Sequence, residues 1–206
     1  MPSRGRWTRW ARRLSEDAQP PRAVLDTDVI FSRVLYELFG RLAIEHEALS
    51  LIWSDELLHE AQRVLIDRKP LPPRSAERWV SYLPSAFPEG RVDLGAASAD
   101  VDFSSLTRDP DDEHVCALAI AGGASLLVTF DHGYDRTALR THGVEVAEPD
   151  EFLSDLLNEQ PSIARAVIET QAAEWGGGRS VDELVDALAR ARVPRFAAGL
   201  RTLLET

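Results

Sequence analysis

Lysine is almost missing from this chain of 206 residues: Lys69 is the only one. Basic contacts must therefore come from arginine. Lys and Arg together number 23 against 34 acids, a net charge of −11, which does not suit a polyanion partner, because phosphate contacts dominate that affinity. A polynucleotide substrate would need local arginine patches, divalent cations or both, and the same acidity suits a basic protein partner. Cysteine is as scarce. Cys116 alone excludes an internal disulfide framework and fits a reducing compartment. Its place on an apolar stripe reads as a small buried hydrophobe. No apolar run approaches the ~18 residues of a membrane span, and the N-terminus lacks the apolar core of a signal peptide. The expectation is a cytoplasmic protein with no membrane partner. There is no Ser-His-Asp arrangement, P-loop, Gly-rich dinucleotide turn or internal repeat.

What is present centres on Asp109–Asp131, DPDDEHVCALAIAGGASLLVTFD. Asp109 is a good N-cap, and Pro110 suits the first helical position, where its missing N–H costs nothing. Val115, Cys116, Ala119 and Ile120 recur at helical spacing until Gly122-Gly123 stops the helix. Ser125–Phe130 then reads as a strand buried on both faces, ending at Asp131. Asp112 is out of place. It lies three and four residues before Val115 and Cys116, so it projects from the face meant to be buried, which is unfavourable unless a cation neutralises it.

The remaining chain alternates strands and helices. Residues 1–22 form an Arg-rich tail read as disordered; Ala23–Leu25 is a strand ending at Asp26-Thr27-Asp28. A helix is expected over Val29–His46, a strand over Leu49–Trp53, and a helix capped by Ser54 with Leu57, Leu58, Ala61, Val64 and Leu65 inside. Glu60 falls on the edge of that apolar face. A helix is expected over about 75–87, a short strand near Val92, a helix around 136–142 and a strand at 144–146. This alternation implies a mainly parallel sheet. After Pro149 all is helix: one capped by Asp150, one opened by Pro161, a joint at Gly176–Gly178, one with a Ser180/Glu183 capping box, and a last from Arg195. The organisation expected is a tail (1–22), an α/β domain (23–148) and a helical module (149–206). That module would pack on the sheet domain, bind a partner or form a homodimer.

Asp26, Glu60, Asp112 and Asp131 therefore stand out by position. In an open parallel sheet ligands bind beyond the carboxyl ends of the strands, where Asp26 and Asp131 fall. Crowded carboxylates resist ionising unless they share a cation. All-oxygen donors suit Mg²⁺ or Mn²⁺ rather than zinc. Such ions activate water and stabilise the leaving oxygen in phosphodiester hydrolysis. Asp28 and Asp135 are candidates to support these acids, and His114 and His132 could touch phosphate or serve as acid. Asp109, Asp111 and Glu113 are explained as helix-start residues.

Val24–Val29, Ser54–Glu60, Asp109–Val115 and Leu126–Asp131, in that order, resemble the PIN domain, the three-layer nuclease fold of VapC-type toxins. Pro149–Leu157 and Val193–Phe196 are similar to the C-terminal extension of a subgroup of these proteins. The resemblance implies a metal-dependent endoribonuclease acting at Asp26, Glu60, Asp112 and Asp131. It also implies structured RNA such as tRNA or rRNA as substrate and a cognate antitoxin as partner. Two departures stand out: Asp28 where the family often has Asn, and Asp131 where the similar subgroup often has Asn. Two other readings stay open. Asp26 and Asp28 also resemble the nucleophile loop of haloacid-dehalogenase-type phosphatases, for which Lys69 is the only lysine available, although Ile30 stands where those enzymes want threonine. The fold could also serve as a non-catalytic RNA- or protein-binding module.

Overall fold

The computed structural model describes residues 20–96, 101–175 and 180–205. The N-terminal tail up to residue 19 and the Gly176–Gly178 joint lie outside the described residues. Chain contacts define two compact units. One takes in Arg22–Arg33 and Ser50–Glu148; the other takes in Val34–Leu49 and the helices from Pro149 onward.

The first unit is built on four parallel strands: β1 (Arg22–Leu25), β2 (Ser50–Ile52), β3 (Leu126–Val128) and β4 (Glu145–Ala147), in the order β2-β1-β3-β4. The α/β expectation with a parallel sheet is met. Val24 pairs with Ile52 on one side and Leu127 on the other. Both central strands are buried on both faces beyond Arg22, which is why they read as unbroken apolar runs. Connections leave β1 toward β2 and then cross back to β3, so the strand order reverses between β1 and β3. A crevice opens beyond the carboxyl ends of the strands at such a reversal. Asp26 follows β1 there, and Thr129–Asp131 follow β3.

Around the sheet lie α1 (Thr27–Phe31), α3 (Asp55–Arg68), α4 (Pro73–Val80), α5 (Tyr82–Ala86), α6 (Glu113–Ala121) and α7 (Arg136–Thr141). The single helix expected over 29–46 is two. It breaks at Ser32, which is extended, separating α1 from α2 (Arg33–Ile44). The reason is side-chain capture of the carbonyls that would continue the helix: Trp79 Nε1 donates to the Ile30 oxygen (3.0 Å) and Lys69 Nζ to that of Phe31 (2.6 Å). The helix expected over 75–87 likewise starts earlier and divides at Ser81 into α4 and α5. Near Val92 there is a single bridge, Trp53 to Arg91, rather than a strand. Ser54 caps α3 as expected, its Oγ accepting from the Leu57 N–H (3.3 Å). Helix α6 packs on β1. It stops at Gly122, where a Cβ would stand 2.4 Å from Ile52 Cδ1, followed by Gly123 at φ +60°. Only glycine meets both demands easily.

The second unit contains α2, α8 (Pro149–Glu159), α9 (Pro161–Glu174), α10 (Val181–Arg190) and α11 (Pro194–Leu204). The all-helical C-terminal region is as expected, and the Ser180/Glu183 capping box is present. The apolar face of α2 packs here: Phe39 meets Phe152 with ring centroids 5.6 Å apart, and Gln171 Nε2 donates to the Val34 carbonyl (3.0 Å). Ile44, expected inside, is exposed.

Asp150 does not cap its own helix. It is buried within α8's first turn, and its carboxylate accepts from the Phe196 N–H (2.9 Å), the Arg195 N–H (3.3 Å) and Arg195 Nε (2.9 Å), closing the start of α11. Replacing Asp150 with Ala removes that cap and leaves buried donors unpartnered. A loss of about 1–3 kcal/mol is expected in urea unfolding. An unchanged midpoint would show the cap to be dispensable.

Candidate active site

Asp26 is the fixed point. It is the N-cap of α1 and only 5% exposed. Its Oδ1 accepts from the Thr27 N–H (2.7 Å), and its Oδ2 accepts from the hydroxyls of Thr129 (2.7 Å) and Tyr134 (3.0 Å). A carboxylate offers about four lone-pair positions, so these three donors leave one. Burial raises its pKa in spite of the donors, and nearby Glu60 adds to the rise.

Glu60 comes from the exposed edge of α3. Its Oε2 accepts from the Thr27 hydroxyl (2.9 Å) and lies 3.3 Å from His114 Nε2. Burial opposes its ionisation, but His114 and Thr27 outweigh that and hold the carboxyl below its usual range. His114 is fixed from its other side. The Asp111 carbonyl lies 2.7 Å from Nδ1, and since a carbonyl can only accept, Nδ1 carries a proton. With a carboxylate at Nε2 as well, the imidazolium is favoured, and the pKa is raised although burial alone would lower it. His114 is thus half-buried and engaged with Glu60, whereas His132 is exposed, 3.8 Å from Glu148.

Asp112 behaves differently from the acids around it. A 3-10 turn, Pro110–Asp112, precedes α6, so the helix begins at Glu113 rather than at Asp109. Asp109 caps that turn, its Oδ1 accepting from the Asp111 N–H (3.0 Å). Asp112 occupies the N-cap position of α6 and makes no side-chain cap bond. Its Oδ2 is buried and, among the described residues, without a hydrogen-bond partner. Burial, then Asp26, Asp131, Asp109 and Glu60, push its carboxyl up to about 7. The same neighbours place these acids in one electrostatic cluster.

Asp131 is the outlying member. It is exposed, and its Oδ1 accepts from the Gly133 N–H (2.5 Å) in a tight turn. Asp28 Oδ2 accepts from the Phe130 N–H (2.9 Å), tying the start of α1 to the end of β3. Asp135 is the N-cap of α7, its Oδ1 accepting from Thr137 and Ala138 (both 2.9 Å), and is not near the acids by any bond. Thr27, Thr129 and Tyr134 were not anticipated from the sequence. Thr129 carried a signal, a wholly buried hydroxyl residue in an apolar strand run; Tyr134 carried none. Cys116 is buried, its thiol pushed up to about 12 by burial, and so is inert.

The donor set is chemically suited to a hard divalent cation: oxygen only, with a buried orphan oxygen on Asp112, and with the carboxyls of Asp26 and Asp112 pushed upward by burial and by their acidic neighbours. Among the described residues, no three acidic, histidine or cysteine groups stand close enough to grip an ion as placed. Lys69 does not belong to this cluster. Its ammonium lies over the Phe31 and Trp79 rings, 4.5 and 4.3 Å from their centroids.

With this geometry in hand, two family matches can be placed on the chain. The PIN domain matches residues 22–133, more than half of the sequence. The chain belongs to the PIN domain family. The VapC50 C-terminal domain matches residues 149–202, the region of α8 to α11. Together these are the features of a toxin-type nuclease family whose PIN domains generally use divalent metal ions. No curated protein and no solved structure matches significantly. Among the described residues, no helix is long and apolar enough to cross a membrane.

Proposed function

We propose that this PIN protein is a Mg²⁺- or Mn²⁺-dependent endoribonuclease, the toxin of a toxin–antitoxin pair, hydrolysing RNA phosphodiester bonds at Asp26, Glu60, Asp112 and Asp131. The observation that carries this reading is Asp112. Its orphaned oxygen and raised pKa mark a group placed for a cation, not for the fold. When bound, a divalent cation supplies the charge that activates water and offsets the leaving oxygen. The chain's residues supply placement. Thr129 and Tyr134 immobilise Asp26, Thr27 and His114 immobilise Glu60, and Asp28 locks the two strand ends together. An RNA substrate such as tRNA or rRNA, a cognate antitoxin covering the acids and a cytoplasmic setting belong to this reading, and the family supports the first two. A homodimer is compatible with the helical region.

The phosphatase alternative fits less well. Lys69, the only lysine, is held at the Phe31 carbonyl and over the Phe31 and Trp79 rings rather than against the acids, and Ile30 stands where those enzymes want threonine. Incubating the purified protein with total RNA and Mn²⁺ should give discrete fragments that vanish with EDTA and with Asp112→Asn. Cleavage persisting in that variant would show the site to be misassigned. Binding without any cleavage would favour a non-catalytic module.

A further inference from the structure

An open cavity of about 560 Å³ adjoins the acids, lined by Ser104, Ser105, Thr107, Arg108, Tyr134 and Arg136. Its volume falls in the range of about 300–1,000 Å³ usual for ligand sites. Tyr134 is the shared wall: it lines the cavity while its hydroxyl donates to Asp26 Oδ2. Backbone bonds hold the other walls in place. Thr107 bridges to Tyr134, the Arg108 N–H donates to the Gly133 carbonyl (3.1 Å), and the Asp135 N–H to that of Leu106 (2.8 Å).

The lining is cationic and hydroxylic in a chain that is otherwise acidic. Arg41, Arg91, Arg140, Arg195 and Arg201 are engaged with carboxylates. Among the described residues, Arg108 and Arg136 have no carboxylate partner, so both guanidiniums are available to a ligand. Asp135 also lines the cavity, but its Oδ1 already accepts from two backbone N–H groups. Tyr134, the only aromatic in the lining, is 5% exposed and offers no face for a base to stack on. Forked cations with hydroxyl donors match phosphate oxygens and do not read base edges.

We infer that this cavity binds the phosphodiester backbone of the substrate RNA beside the bond to be cut, with Arg108 and Arg136 contacting its phosphates. The inference rests on the nuclease reading for the word substrate, but its test does not require cleavage. Binding of a short fluorescein-labelled single-stranded RNA of mixed sequence is followed by anisotropy in EDTA across a salt series. Arg108→Gln/Arg136→Gln should weaken binding at least ~10-fold and flatten the slope of log K against log salt by about 1.4, at ~0.7 per phosphate contact on a single strand. Arg108→Lys/Arg136→Lys should recover much of the affinity, and Arg74→Gln, an exposed arginine on α4 outside the cavity, should change little. An unchanged slope in the double Gln variant, an equal loss from Arg74→Gln, or no RNA binding by the wild type would each overturn the assignment. Arg-dependent binding without cleavage would retain the cavity and discard the nuclease reading. Cleavage with Arg-independent binding would do the reverse.

Discussion

Asp112→Asn should make the metal-free protein more stable while abolishing its activity. In the folded chain the Asp112 carboxyl titrates at about 7, against ~3.9 for an unperturbed aspartate. The folded state therefore holds a proton that the unfolded state has released between these values. Its contribution to stability is fully present below about pH 4 and is lost as pH rises through about 7. Asparagine cannot ionise and loses nothing over that window. Because Asp112 is only half-buried, solvent screening reduces the full effect to about 1–2 kcal/mol, a few degrees in melting temperature. In EDTA the variant should thus melt above the wild type at pH 8, with the gap closing toward pH 4. Adding Mn²⁺ should reverse the order: a cation present at 100 times its dissociation constant stabilises the wild type by about 2.7 kcal/mol and the variant by much less. A variant that melts below the wild type in EDTA at pH 8 would show that Asp112 has a structural partner and is not held for a cation.

This trade between stability and function explains which parts of the site were legible in the sequence. Asp112 could be found because it breaks a pattern: a carboxylate among Val115 and Cys116 contradicts the helical period. Glu60 was visible on the same ground, and Asp26 and Asp131 by their positions at strand ends. The parallel sheet followed from apolar runs too short for helices, with helices between them. What could not be read is whatever depends on distant partners. Nothing near Tyr134 tells that its hydroxyl meets Asp26, 108 positions earlier. The break at Ser32 depends on Lys69 and Trp79, whose side chains capture carbonyls that local propensity would have assigned to a continuous helix. Asp150 shows the same limit. Its position suits a helix cap, and it is one, but for the helix starting 44 residues later. Asp135 stood beside the candidate acids in sequence, yet its carboxylate is fully explained by α7.

Thr129 is where that hidden wiring should have its largest effect. Its side chain is wholly buried. Its hydroxyl donates to Asp26 Oδ2 (2.7 Å) and accepts from the Asp131 N–H (2.8 Å), so one oxygen sets the positions of two candidate acids. Its backbone N–H donates to the Ala147 carbonyl (3.1 Å), which anchors it to the line of the sheet. Valine preserves the shape and removes the hydroxyl. Asp131's N–H is then left without that partner, and Asp26 loses a donor that favours its charged form. Asp26's pKa, already raised by burial, must rise further. Groups that orient ligating carboxylates typically contribute 10–100-fold in activity or metal affinity. Thr129→Val should therefore cut RNA cleavage by about that factor and shift the acidic limb of the pH profile upward. Thr129→Ser keeps both bonds and should stay close to the wild type in both respects. Tyr134→Phe removes one donor from the same oxygen but leaves Asp131 untouched, so its loss should be the smaller. A Val variant close to the wild type, with the loss falling on the Ser variant and an unmoved pH profile, would mean that Thr129 acts only by filling space.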